Sequence, residues 1–136
     1  MANYETALER YYHAEVMENE HPQILFSSTW DKLNLDKIDN QNVANLIFII
    51  GVRLGVKEAG KVLQIGTNTN SFKKLKVDGI IGSKTIEAVN KVKDATTLNN
   101  HIVDLWKERD ERIIRNNDRL KVFRAGRLYR AESYRI

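Results

Sequence analysis

From Asn42 to Leu54 the chain reads Asn-Val-Ala-Asn-Leu-Ile-Phe-Ile-Ile-Gly-Val-Arg-Leu. Wound as a helix, Val43, Leu46, Ile47, Phe48, Ile49, Ile50, Val52 and Leu54 point in every direction. A helix that is apolar all round is stable only when other elements cover all of it. This segment, capped by Asn40 or Asn42, is therefore the expected central element. Its longest apolar run, Leu46 to Val52, is far too short to span a bilayer. Gly51 and Gly55, four apart, would let another helix approach closely. Arg53 is the exception on this helix, and a candidate partner for a buried acid such as Glu15.

The flanking sequence supplies the cover. Residues 3 to 20 have the period of an amphipathic helix, with Tyr4, Ala7, Leu8, Tyr11 and Tyr12 on one stripe. His21-Pro22 ends it, because proline cannot continue the hydrogen-bond ladder. Residues 23 to 39 read as irregular but apolar enough to fold back on the core, with Trp30 packed or lining a groove. A helix from Val56 to Ile65 turns Ala59, Val62 and Leu63 inward, and Gly66 to Ser71 reads as a polar loop. Asp94 or Thr96 opens a long helix with Leu98, Ile102, Leu105, Trp106, Ile113 and Arg109 on its inner side. Asn116-Asn117 breaks it, and a basic helix from Asp118 presents Leu120, Phe123 and Leu128. At 136 residues this is one mainly α domain, 1–136, with a single core.

One stretch departs from the helical pattern, Leu75 to Thr85. Asp78-Gly79 is a turn pair, since glycine tolerates the positive φ of a tight connection. Val77 before it and Ile80-Ile81 after it are apolar and β-branched, which predicts a short β-hairpin near 75–82 with buried aliphatics. Gly82-Ser83 closes the turn, and Ser83 is placed to cap a helix through Ile86, Val89 and Val92. Asp78, Gly79, Gly82 and Thr85 are the residues this structural motif depends on.

Chemistry narrows by what is missing. There is no cysteine, so disulfides, thiolate zinc sites and thiol nucleophiles are out. His13, His21 and His101 have no metal-ligand spacing, no phosphate loop occurs, and no metal or cofactor is expected. Carboxylates remain, which points to glycoside chemistry if the protein is an enzyme. Glu15 continues the apolar stripe, four residues after Tyr11. A carboxylate there is costly unless paired or protonated, and burial raises its pKa towards the range of a general acid. The alternative is a helix-end glutamate paired with an arginine of the basic tail. That tail is marked: Lys107 to Ile136 holds ten bases against five acids, whereas the first forty residues hold eight acids against three bases. An anionic partner is one reading and a solvated helix face the other. No recognised nucleic-acid module surrounds these arginines, so nucleic acid is not the expected partner.

Val77-Asp78-Gly79-Ile80-Ile81-Gly82, followed by Lys84-Thr85, resembles the Asp-Gly-Ile-Ile-Gly signature of peptidoglycan-binding domains. The order of elements is similar to glycoside hydrolase family 108, the lysozyme-like N-acetylmuramidases of phage endolysins and secretion activator proteins. The family's central-helix motif falls on Phe48 to Gly55, its Leu-Gln on Leu63-Gln64, and its closing motif on Phe123, Gly126 and Arg130. Arg127 stands where tryptophan is usual. Starting from Met1-Ala2-Asn3-Tyr4, Glu15 falls at the position of the family's catalytic glutamate. Val16 and Met17 replace the two glycines that follow it there. Ile49 and Arg53 replace the central aspartate and asparagine, and the loop before Trp30 is shortened.

The resemblance implies a lysozyme-like helical domain, with 1–39 a shortened catalytic-like segment and 40–136 a core carrying the signature. It implies peptidoglycan glycan strands as partner, and Glu15 as the acid protonating the bond between N-acetylmuramic acid and N-acetylglucosamine. The alternative is a catalytically inactive relative acting as a cell-wall-binding module or with phage virion components. The N-terminus shows no secretory leader, so action at the cell wall is expected after release from the bacterial cytoplasm or from a phage particle.

Overall fold

The computed structural model describes residues 1–14, 23–71 and 74–136. Among these residues seven α-helices are formed: α1 (Tyr4–Ala14), α2 (Gln23–Lys32), α3 (Gln41–Leu54), α4 (Val56–Thr69), α5 (Ser83–Asn90), α6 (Ala95–Arg115) and α7 (Arg124–Glu132). Short 3-10 segments, Leu35–Lys37 and Asp118–Phe123, lie before α3 and α7. The mainly α expectation is met.

The apolar segment behaves as its composition requires. Asn40 caps α3 by accepting from the Val43 N–H at 3.0 Å, and every residue from Val43 to Gly51 is buried. α1, α2, α4 and α6 all pack against it. A Cβ on Gly51 would sit 2.8 Å from Cγ2 of Thr29, so the missing side chain is what lets α2 lie against α3. Gly55 has a different role: it is the cap between α3 and α4, with φ +99°. One turn before Gly51, Tyr4, Tyr11, Phe26 and Trp30 surround Phe48, with Trp30 and Phe48 5.9 Å apart edge to face, a favourable aromatic geometry. Trp30 is therefore core.

Three expectations change. Residues 23–32 form α2 instead of an irregular segment. Its sequence has little amphipathic contrast, because Thr29 shares the buried side with Phe26 and Trp30, and half-buried Ser27 and Ser28 lie between that side and exposed Asp31 and Lys32. The polar run Gly66–Thr69 is the last turn of α4. Thr67 and Thr69 donate their hydroxyls to the carbonyls of Leu63 and Ile65, and Gly66 packs on Ile102 of α6. Tertiary packing thus overrides the turn propensity of these residues. Finally, no strand forms among the described residues, and Lys74–Gly82 is irregular backbone. The hairpin expected near 75–82 is absent because its backbone groups bond to side chains of neighbouring elements.

α6 is capped by Asp94, which accepts from the N–H and the hydroxyl of Thr97. Its inner face carries Leu98, Ile102, Trp106 and Ile114, together with Asp110; Ile113, expected inside, is exposed. Asn116 ends it. The C-terminus returns to the start of α6, where Asn99 donates to the Tyr134 carbonyl at 2.9 Å and Asn100 brackets Ile136. Arg10 of α1 stacks 3.8 Å above the Tyr134 ring and donates to the Ser133 carbonyl. The first helix is joined in this way to the residues that follow α7.

Candidate functional site

The stretch that departs from helical patterning is organised by one buried side chain, Gln64 of α4. Its Oε1 accepts from the backbone N–H groups of Asp78 (3.1 Å) and Gly79 (2.8 Å). The two N–H groups of its Nε2 are shared among Asp78 Oδ1, the Ile80 carbonyl and the Thr85 hydroxyl, at 3.0–3.3 Å. One carboxamide, complementary in both halves, therefore replaces the strand partner that 78–80 would otherwise need. Asp78 closes the turn by accepting from the Ile80 N–H at 2.9 Å. That bond, and then the Gln64 amide, hold the Asp78 carboxyl below its ordinary value, because both favour the ionised form.

Two asparagines extend the scheme. Asn68 donates to the Leu75 carbonyl and accepts from the Leu75 N–H. Asn34, in the left-handed region at φ 51°, donates to the Ile81 carbonyl at 2.6 Å. The approach to α4 is close: a Cβ on Gly60 would lie 2.3 Å from the Gly79 carbonyl oxygen, and one on Gly79 would lie 2.7 Å from that of Lys57. Gly79 also has φ +79°, so glycine is required there twice over. Gly82 is unlike it. Its φ is −104° and it faces open space.

Of the expected buried aliphatics, Ile81 is buried, whereas Ile80 is 72% exposed and Val77 is exposed as well. Ser83 is the first helical residue of α5, and Gly82 takes the cap position with no side-chain bond. Thr85 is buried on Gln64. An open groove of about 630 Å³ runs beside the turn, lined by Lys74, Lys76 and Lys84 with Asp78, Ile80 and Ser83 among its walls. Lys74 is anchored on the Asn68 carbonyl. The groove can take an anionic or sugar-like group at its rim and an apolar group on Ile80.

Glu15, with Val16 and Met17, lies outside the described residues. The stripe that leads to it is as expected, with Ala7 and Tyr11 buried and Tyr4 and Leu8 partly so. Ile49 is fully buried, and Arg53 is exposed with its charge felt at Asp110. The surface of α3 at these two positions therefore offers no carboxylate. No group of three His, Cys, Asp or Glu among the described residues could hold a metal ion, and His101 contacts the Asn70 amide.

Two features were missed from residues alone. Gln64 carried no periodic signal, and only its place in the Leu-Gln pair marked it. Asp110 sits on the inner face of α6, its side chain 3% exposed, 3.0 Å from Arg127 of α7. Burial pushes its carboxyl up, against the pull of Arg127. The acid-base spacing across two helices gave no local sign of this pair.

No family model, curated protein or solved structure matches this chain. The functional reading rests on the geometry and on the residues quoted above.

Proposed function

We propose that this chain is a peptidoglycan-associated, lysozyme-like domain, whose wall-facing surface is the groove beside the Gln64-organised turn. The observation that carries the reading is the convergence of Gln64, Asp78, Gly79 and Thr85 on one another. These belong to the Leu-Gln pair and the Asp-Gly-Ile-Ile-Gly signature on which the resemblance rests, and Gln64 is 14 residues from Asp78 and 21 from Thr85. The exposed Ile80 and the three lysines of the groove suit a partner with both apolar and carboxylate groups, as a glycopeptide has. In the catalytic form of the proposal, Glu15 protonates the glycosidic oxygen between N-acetylmuramic acid and N-acetylglucosamine, and water attacks the anomeric carbon.

A second reading, binding without cleavage, is favoured by one observation. Ile49 is wholly buried where the resembling family carries an aspartate, so α3 lends no second carboxylate.

Turbidity clearing and co-sedimentation on purified peptidoglycan, with wild type and Glu15→Gln, separate the two. Clearing by wild type alone supports the muramidase. Sedimentation of both proteins without clearing supports the binding module. If neither protein clears or sediments, the proposal fails.

A further inference from the structure

Residues 108–130 hold eight bases and four acids, a surplus of four that equals the net charge of the whole chain. The surplus is concentrated at the distal end of α6, the 3-10 segment Asp118–Phe123 and the start of α7. The 3-10 segment contributes no buried residue. Within it and just beyond, Val122 is 79% exposed, Phe123 58% and Tyr129 77%. Isolated exposed apolar residues are ordinary. Here adjacent Val122 and Phe123 stand between Lys121 and Arg124 on an element that gives nothing to the core. Lys121 and Arg124 are satisfied by exposed acids, Asp118 and Glu111, so the scaffold fixes their position and leaves them at the surface.

We infer that this end of the molecule docks on an anionic phospholipid surface, with Val122 and Phe123 entering the headgroup–acyl boundary and Arg119, Lys121 and Arg124 resting at phosphate level. Exposed cations flanking an exposed apolar pair supply what the two layers of such an interface take. A nucleic-acid backbone would use the charge, and a base could stack on Phe123, but Val122 would have no counterpart there. The mode is peripheral: no helix among the described residues is long and apolar enough to cross a membrane.

The test is sedimentation of the intact protein with vesicles of phosphatidylglycerol and phosphatidylcholine in equal parts, and with phosphatidylcholine alone. The expected result is partition onto the anionic vesicles only, reversed by high salt. Val122→Ser with Phe123→Ser should weaken it about tenfold, as loss of two small apolar burials implies, with helical circular dichroism unchanged because both positions are exposed. Arg119→Gln with Lys121→Gln should weaken it too. Three results would overturn the inference: no binding to anionic vesicles, binding indifferent to the Val122 and Phe123 changes, or tighter binding to single-stranded DNA than to the vesicles. Peptidoglycan retention plays no part in this readout, so either proposal can fail without the other.

Discussion

Gln64 is the residue on which the unusual part of the fold turns, since one carboxamide meets five polar partners, two through its oxygen and three sharing its two N–H groups. Gln64→Ala leaves the Gly79 N–H and a buried hydroxyl without the partner Gln64 supplies, while the Asp78 N–H keeps the Lys76 carbonyl, and it opens a cavity. The expected loss is about 2–4 kcal/mol in urea unfolding. Gln64→Glu should also destabilise, because a carboxylate keeps the two N–H bonds but cannot donate to Asp78 or Ile80, and it sets a second charge beside Asp78. A Gln64→Glu protein as stable as wild type would contradict the network. Gly60→Ala tests the same contact from the opposite wall: its methyl would collide with the Gly79 carbonyl, with an expected loss of about 1–3 kcal/mol. Gly82 is the control. It meets nothing and has an ordinary φ, so Gly82→Ser should be neutral or stabilise by a few tenths of a kcal/mol, as about expected for a better helix cap. These contrasts were only partly legible in the sequence. Asp78-Gly79 announced a turn, but the same two letters suit a hairpin or a turn held by a distant side chain.

At the scale of elements, α7 buries Ala131 alone and meets α6 through a set of ion pairs. Arg135 bonds Asp104 and Glu132, Lys107 bonds Glu132, Arg124 bonds Glu111, and Arg127 bonds Asp110. Asp110→Ala would strand Arg127 with a largely buried guanidinium and should cost about 3 kcal/mol. Replacing both by leucine should cost clearly less, about 1 kcal/mol, because no unpaired charge remains. Arg135, then Lys107, hold Glu132 at about 2 against an ordinary value of 4.5. Its folded-state pKa is depressed, so its contribution is present above the ordinary carboxylate range and is lost as pH falls towards 2. Glu111, Asp78 and Asp94 shift in the same direction. Asp110 shifts upward; protonation removes its desolvation penalty and partly opposes the loss. The urea midpoint should therefore fall as pH drops from about 5 to about 2, and Glu132→Gln should flatten that fall. An unchanged slope in the variant would contradict the assignment. Helix caps at Asn40 and Asp94 and the break at Asn116 could be read locally, because capping chemistry is local. The α6–α7 pairs could not, because each joins residues set by how the helices cross.

For the whole molecule, the all-round apolar character of residues 43–51 was enough to place α3 at the centre and to require a helical shell around it. The shell's least patterned member, α2, escaped the periodicity because a threonine, Thr29, shares its buried side with Phe26 and Trp30, so the inner stripe is not purely apolar although Asp31 and Lys32 are exposed. The candidate wall-facing surface was legible as a motif, whereas its exposed edge was not: adjacent Ile80 and Ile81 look alike in sequence, yet the turn sends one outward and the other into the core. That outward isoleucine gives the most direct test of the central proposal. Purified peptidoglycan should retain the wild-type protein on sedimentation. Ile80→Asp, at an exposed position that leaves helicity unchanged, should weaken retention about tenfold, in keeping with loss of one apolar contact and gain of a repelling charge. No retention of wild type, or retention equal in the two proteins, would contradict peptidoglycan association through this surface.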